Sequence, residues 1–366
     1  MTIDYAQRRA RLLEIGGADA IVIVPGSNMI YFTGLQFHLS ERPTIALFTR
    51  DGELSLIIPQ LEVSKLDQRP DLEARPFAWS DTDGYTAAFA EAVQELGLTG
   101  KTLGVDGLTM RVTEWLAFLE ADPTLQVRAV ERDITLIRAI KNPDEVAAMR
   151  RAIHISEQAL EKMLAWVKPG MTEREIATFL SDELSALGSQ GNAFEPLVQT
   201  GPNSALPHGM LTDRKLGTDE FFLVDFGGRF GGYPADITRT FCIGTPSTEM
   251  QKIYDTVLAA NEAAKAVAGP GVTMGAVDKA ARDVIEAAGY GVYFTHRTGH
   301  GLGMDGHELI PQIASGVEDT LQPGMAFTIE PGIYVPGLGG VRIEDDVVIT
   351  ENGAEILTTF PRKLQL

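Results

Sequence analysis

Two acidic residues lie inside runs that otherwise read as apolar strands: Asp225 in FFLVDFGG and Asp236 in GGYPADITRTF, joined by the glycine-rich turn GGRFGG. A charge set into a buried strand is costly unless it is paired or bound to a cation. A hairpin over these residues brings the two acids roughly opposite one another, allowing for a bulge. Two facing carboxylates without a cation repel, so one of them must stay protonated. A shared divalent metal is the simpler arrangement.

The pattern recurs downstream, where Glu330 sits in MAFTIEPGIYV and Glu344 in GGVRIEDDVVIT. Between the two pairs comes HRTGHGLGMDGHE, with His296, His300 and His307 among Gly299, Gly301, Gly303 and Gly306; His208 in ALPHGM is a further candidate. This spacing excludes a helical zinc motif and suits a backbone wrapped closely around a site. Four carboxylates and an imidazole make a hard, mostly oxygen ligand set, with no sulfur and too few nitrogens for a structural zinc site. They fit manganese, cobalt or a pair of zinc ions in a hydrolytic centre. Arg342, two residues before Glu344 on one strand pattern, shares its face and can orient a carboxylate behind the metal.

The chain has 366 residues, more than one hydrophobic core usually organises, so two domains are expected. In the first third, ADAIVIV and KTLGVDG read as strands and TIALFTRDGELSLIIP as a hairpin around Asp51 and Gly52. This describes an α/β amino-terminal domain, assigned to residues 1–133. The break lies near residues 131–143, where Asn142 suits an N-cap, Pro143 the first helical position, and Asp144 and Glu145 the positive end of the helix. The helix from there to about Val167 opens the second domain, residues 134–366. That domain carries a faint internal repeat: Pro169-Gly170-Met171-Thr172 and Pro270-Gly271-Val272-Thr273 each precede a helical pattern that ends on a glycine, Gly188 or Gly289. Two similar halves place a site in the crevice between them.

Other functions are disfavoured by composition. With 31 basic against 50 acidic residues the formal charge is −19, a field that repels nucleic acid and anionic membrane. No run approaches the roughly 18 apolar residues of a membrane helix. The amino terminus, MTIDYAQRRARLLEIGG, mixes charges into an amphipathic pattern and reads as a first helix of a cytoplasmic protein. The lone Cys242, in TFCIG, cannot form an internal disulfide and reads as a buried strand residue.

Taken together, Asp225, Asp236, His300, Glu330 and Glu344, in the contexts VDFGG, ADITRTF, TGHGLG, IEPGIY and VRIEDD, resemble the pita-bread metallopeptidases, specifically their Xaa-Pro branch of prolidases and aminopeptidases P. The resemblance implies an α+β pita-bread catalytic domain with an internal pseudo-two-fold repeat behind the α/β domain. It implies two divalent metal ions, Mn2+ first and Co2+ or Zn2+ as alternatives. Asp225 then chelates one ion, Asp236 and Glu344 bridge both, and His300 and Glu330 complete the other. It further implies that Glu330 shuttles a proton, that His296 stabilises the tetrahedral intermediate, and that His208 and His307 line the substrate pocket. The expected substrates are short proline-containing peptides, and the expected assembly is a homodimer.

Length selection separates a prolidase from an aminopeptidase P. The terminal carboxylate of a dipeptide asks for a cation, and YFTGLQFHLSERPT in the amino-terminal domain offers His38 and Arg42 on a loop. The reading leans to a dipeptidase. Aminopeptidase P on longer peptides and a small-molecule amide hydrolase on the same fold are the alternatives. Methionine aminopeptidases are shorter at the amino end, and the creatinases work without metal. A non-catalytic histone-chaperone type of domain has lost the ligands that are present here.

Overall fold

The protein is described by a computed structural model covering residues 3–366. The chain divides into two compact units, residues 1–137 and residues 138–366. No helix among the described residues is long and apolar enough to cross a membrane.

In the amino-terminal unit the expected first helix, α1, spans Tyr5–Leu13, with Asp4 as its N-cap accepting from the Gln7 amide. Met1 and Thr2 lie outside the described residues. The strands are β1 Ala20–Ile23, β2 Ile45–Thr49, β3 Leu54–Pro59, β4 Arg75–Trp79, β5 Thr102–Val105 and β6 Gln126–Ala129. They form one mixed sheet in the order β4-β3-β2-β1-β5-β6. The β2–β3 hairpin turns at Asp51-Gly52 with Phe48 opposite Leu54, and Gly52 takes the positive φ of 91° that the turn requires. α2 Ser27–Thr33, α3 Thr86–Glu95, α4 Val112–Ala121 and α5 Glu131–Ala139 complete the unit, the boundary to the next unit falling within α5. Phe89 of α3 and Phe118 of α4 stack edge to face at 4.8 Å and close the apolar core against the sheet.

The carboxy-terminal unit is built twice from one plan, two helices followed by antiparallel strands. The first half has α6 Pro143–Trp166, α7 Glu173–Ala186, β7 Leu197–Thr200, β8 Phe222–Phe226, the short β9 Arg229–Phe230 and β10 Tyr233–Pro234, and β11 Ile237–Phe241. The second has α8 Thr248–Val267, α9 Met274–Ala287, β12 Gly299–Gly301, β13 Glu308–Ile313, β14 Ala326–Ile329, β15 Gly332–Val335, β16 Gly339–Arg342, β17 Asp345–Thr350 and β18 Gly353–Ile356. Their main sheets are ordered β11-β8-β7 and β13-β12-β14-β17-β18, with β15 and β16 paired separately.

Local chemistry sets the helix limits. Asn142 and Glu145 close a reciprocal capping box on α6, and Thr172 and Glu175 close one on α7. Thr273 caps α9 through the Ala276 amide. Each such cap contributes about 1 kcal/mol. Gly188 and Gly289 follow α7 and α9 with φ of 90° and 87°, the left-handed ending that stops a helix. One core joins the halves: Phe222, Val224 and Phe226 alternate along β8 and pack with α6, α7, Leu302, Ala326 and Val348. Truncating Phe226, which is 0% exposed, to alanine costs roughly 3–5 kcal/mol and loosens the strand that presents Asp225.

Candidate metal centre

β8 and β11 run antiparallel with Asp225 opposite Thr238. Asp236 lies just before β11, two residues from Thr238, so it shares that face and meets Asp225 diagonally rather than squarely. The β9–β10 hairpin takes up the offset. Glu330 follows β14, and Glu344 lies in the break between β16 and β17, so both acids stand at strand ends, not within strands. Their amides are still held, Glu330 by the Thr298 carbonyl at 2.8 Å and Glu344 by the Thr238 carbonyl at 3.1 Å. That fixes where each side chain starts.

His300 lies on β12 at a register shift, its amide donating to the Thr328 hydroxyl at 3.2 Å. Its Nδ1 is 3.1 Å from the Gly301 carbonyl, which can only accept, so Nδ1 carries the proton and Nε2 keeps its lone pair. Nε2 faces Glu330 Oε1 at 3.3 Å and Asp236 Oδ2 at 3.6 Å. Three overlapping trios, Asp225/Asp236/Glu344, His300/Glu330/Glu344 and Asp236/His300/His307, each offer ligand atoms lying within 4.8 Å of one another.

The electrostatics follow from crowding like charges out of water. Burial, and then the charges of Glu344 and Asp225, hold the Asp236 carboxyl well above the usual carboxylate range. Burial, then Glu330 and Asp225, does the same to Glu344. Glu330 is pushed up to about 7 by burial, against the opposing pull of Arg342. Burial, helped by His307, lowers His300 to about 3 and keeps it neutral. Asp225 Oδ1 is buried with no hydrogen-bond partner among the described residues. Carboxylates that cannot all ionise, an imidazole lone pair facing them and an orphaned acceptor together fit a divalent cation.

A consequence for stability can be measured. Asp236, Glu330 and Glu344 hold their protons in the folded chain at a pH where the unfolded chain has released them, so the folded state binds more protons between the two pKa values. Stability therefore falls as pH rises from the ordinary carboxylate range through about 7 for Glu330. Thermal melts of chelated protein are expected to show the carboxy-terminal unit losing several degrees between pH 5 and pH 8, and divalent metal restoring them at pH 8. A flat profile in chelator contradicts the crowding of these acids.

Arg342, expected to orient a carboxylate, binds that of Asp225 directly and that of its near neighbour Glu344 only through Thr238. The strand breaks at Ile343, and the guanidinium turns to Asp225, donating through Nη2. Its Nε donates to the Thr238 hydroxyl at 3.0 Å, which in turn donates to Glu344, and its Nη1 donates to the Tyr334 hydroxyl at 3.0 Å. Tyr334 is not evident from the sequence because IYV reads as core. The signal lies in its neighbours: a side chain on Gly332 or Gly340 would strike the Tyr334 ring or hydroxyl. Thr238 and Thr328 are likewise hidden in apolar strands.

The cluster opens into a cavity of about 970 Å³, lined also by His208, His296, Arg297, His307, Phe194 and Leu211. His208 and His307 are exposed on its walls, His307 stacking on His300 with ring centroids 3.6 Å apart. His296 has both nitrogens engaged: Nδ1 donates to the Arg297 carbonyl at 2.7 Å, and Nε2 lies 2.9 Å from the Tyr334 hydroxyl. Burial lowers His296 to about 4, so it is neutral and accepts from Tyr334. His38 and Arg42 lie in the amino-terminal unit; His38 is exposed, and Arg42 forms a two-pronged pair with Asp81 at 2.8 and 2.9 Å and binds Glu41.

Residues 147–351 match the model of metallopeptidase family M24. The chain belongs to metallopeptidase family M24. Residues 7–140 match the creatinase/prolidase N-terminal domain. This M24 peptidase is 37% identical to an uncharacterized peptidase of Staphylococcus epidermidis over 96% of this chain and 98% of that one. Among solved structures it is similar to a dipeptidase from Pyrococcus horikoshii, with 38% identity, a TM-score of 0.91 and 99% of each chain covered. It is similar also to a prolidase from Thermococcus sibiricus, with 34% identity, a TM-score of 0.92 and 100% of each chain covered. The catalytic unit has the pita-bread fold. Family membership implies divalent metal ions, and the acidic and histidine cluster fits their site.

Proposed function

We propose that this M24 peptidase hydrolyses the Xaa-Pro bond at the amino end of short peptides, preferring dipeptides, with two divalent metal ions held by Asp225, Asp236, His300, Glu330 and Glu344. The observation that carries the reading is the convergence of these five side chains, from five separate stretches of chain, at the floor of one cavity. When bound, paired divalent ions supply Lewis acidity that polarises a carbonyl and brings the pKa of water towards neutrality. Manganese is the first choice for the pair, with cobalt or zinc as alternatives. The similarity to proteins described as a dipeptidase and a prolidase supports the substrate class.

The roles of the chain's own groups follow from their positions. Glu330, held by the Thr328 hydroxyl at 3.2 Å and facing the Arg342 Nε at 4.0 Å, takes a proton from the attacking water and passes it to the departing proline nitrogen as the C–N bond breaks. Asp225 and Glu344 are kept in register by Arg342 and Thr238. His296 is assigned to stabilise the tetrahedral intermediate; its Nε2 accepts from Tyr334 and carries no proton in this arrangement, so the ring must take the Nε2–H tautomer before it can donate there. His208 and His307 wall the slot for the proline ring. An Xaa-Pro bond has no amide hydrogen, so a site that grips the carbonyl loses nothing there. His38 and Arg42 are assigned as further substrate contacts. Arg42 must first be released from Asp81, an exposed and solvent-screened pair that is readily opened. The same reading takes the chain as a cytoplasmic homodimer.

The test is a panel of Xaa-Pro dipeptides, Xaa-Pro tripeptides, longer peptides and small amides, assayed with manganese, cobalt and zinc. Dipeptides are expected to give the highest kcat/KM. Preference for longer peptides moves the assignment to aminopeptidase P, and cleavage of small amides alone moves it to an amide hydrolase.

A further inference from the structure

The segment His296–His300 is clamped from below by α9. Asp278, 0% exposed, accepts from the Thr298 amide at 3.1 Å and its hydroxyl at 2.7 Å, while Arg282 donates to the His296 carbonyl at 3.0 Å. The Thr298 side chain is thereby turned towards α9. Arg297, between these anchored neighbours, sends its side chain along the cavity wall instead, where Nη2 lies 3.4 Å from His307 Nδ1.

The cavity's cations differ in what they already hold. Of the arginines lining it, Arg174 pairs with Asp213 at 3.2 Å and Arg342 is bound to Asp225. Arg297 has no carboxylate partner among the described residues. The acidic residues of the lining are Glu195, Asp225, Asp236, Glu330 and Glu344, of which all but Glu195 are assigned as ligands. A zwitterionic dipeptide entering this cavity brings its terminal carboxylate to a wall with one guanidinium that holds no carboxylate.

We propose that Arg297 receives the terminal carboxylate of an Xaa-Pro dipeptide and so selects substrate length within the catalytic unit; this rests on the Xaa-Pro reading above. The planar fork matches a carboxylate with two parallel hydrogen bonds. A longer peptide presents a neutral amide at that point and must carry its chain past the guanidinium. Arg297 is thus a specificity residue adjoining His307, which walls the proline slot.

The test compares kcat/KM for an Xaa-Pro dipeptide with that for its carboxamide, which has the same shape but no charge. Wild type, Arg297→Gln, Arg297→Lys and Arg42→Ala are assayed side by side, along with inhibition by free proline and by prolinamide as a measure independent of turnover. Wild type is expected to prefer the acid. Arg297→Gln is expected to reduce that preference roughly ten- to a hundredfold, in hydrolysis and in inhibition alike. Arg297→Lys is expected to retain part of it, because a point charge replaces the fork. An active Arg297→Gln with the wild-type ratio overturns the assignment, as does collapse of the ratio in Arg42→Ala alone. A wild type that cleaves no Xaa-Pro substrate overturns this inference together with the reading it rests on.

Discussion

Glu330→Gln and Asp236→Asn are each expected to leave a folded protein that has lost nearly all turnover, and to lose it in different ways. Both changes keep size and remove one negative charge from a cluster that cannot ionise fully without a cation. Glu330→Gln removes a ligand and the proton carrier together, and general acid–base catalysis alone is worth roughly 10²–10⁴ in rate. Its kcat should fall by at least that factor even when the variant is saturated with metal. Asp236→Asn acts first on occupancy, since this residue belongs to two of the ligand trios, so its activity should recover in part at high metal concentration. Melting in chelator separates these losses from misfolding. With a repelling charge gone, each metal-free variant should be at least as stable as the metal-free parent above pH 7. Near-normal turnover in both variants with metal bound places the reaction elsewhere.

Removing the metal is expected to abolish hydrolysis altogether, with restoration by manganese or cobalt. Cys242 offers no nucleophile in its place, because it is buried and burial pushes its thiol up. The protein groups that remain, His296 paired with Tyr334 and a protonated Glu330, have no nucleophile to assist near neutrality. Metal return should also displace protons from Asp236, Glu330 and Glu344. Calorimetric titrations at pH 6–7 in buffers of different ionisation heat should therefore report proton release. Full turnover by verified metal-free protein contradicts this expectation.

Helix ends and hairpins are legible in the sequence because their causes are local. Asn142 with Glu145, Thr172 with Glu175, and the glycines after α7 and α9 act within four residues of the backbone they control. The β2–β3 turn at Gly52 is equally local. GGVRIEDDVVIT, by contrast, reads as one strand and is two: β16 pairs with β15, and β17 with β14, in different sheets. Which partner a strand takes is decided by tertiary packing, which no short window contains.

The five candidate ligands are legible as residue types because an acid among apolar neighbours must meet a cation or a proton, and a histidine among glycines is held close to the backbone around it. Their mutual geometry is not legible. The diagonal offset of Asp236 depends on the β9–β10 hairpin, and the reach of Arg342 to Asp225 rather than Glu344 depends on the break at Ile343. Tyr334 is masked because a tyrosine in an apolar strand is ordinarily core, and only the space left by Gly332 and Gly340 marks it. Arg297 stands in plain view within HRTGHGLG, yet its importance lies in lacking the carboxylate partner that Arg174 and Arg342 have, which only the folded chain shows.

The central claim, that Asp225, Asp236, His300, Glu330 and Glu344 together hold a pair of divalent ions, is tested most directly by anomalous diffraction from crystals grown with manganese. Two anomalous peaks are predicted, each within ligand distance of Asp225, Asp236, His300, Glu330 or Glu344 as assigned, with Asp236 and Glu344 touching both. A single ion held by Asp236, His300 and His307, or manganese bound only outside this cluster, contradicts the account.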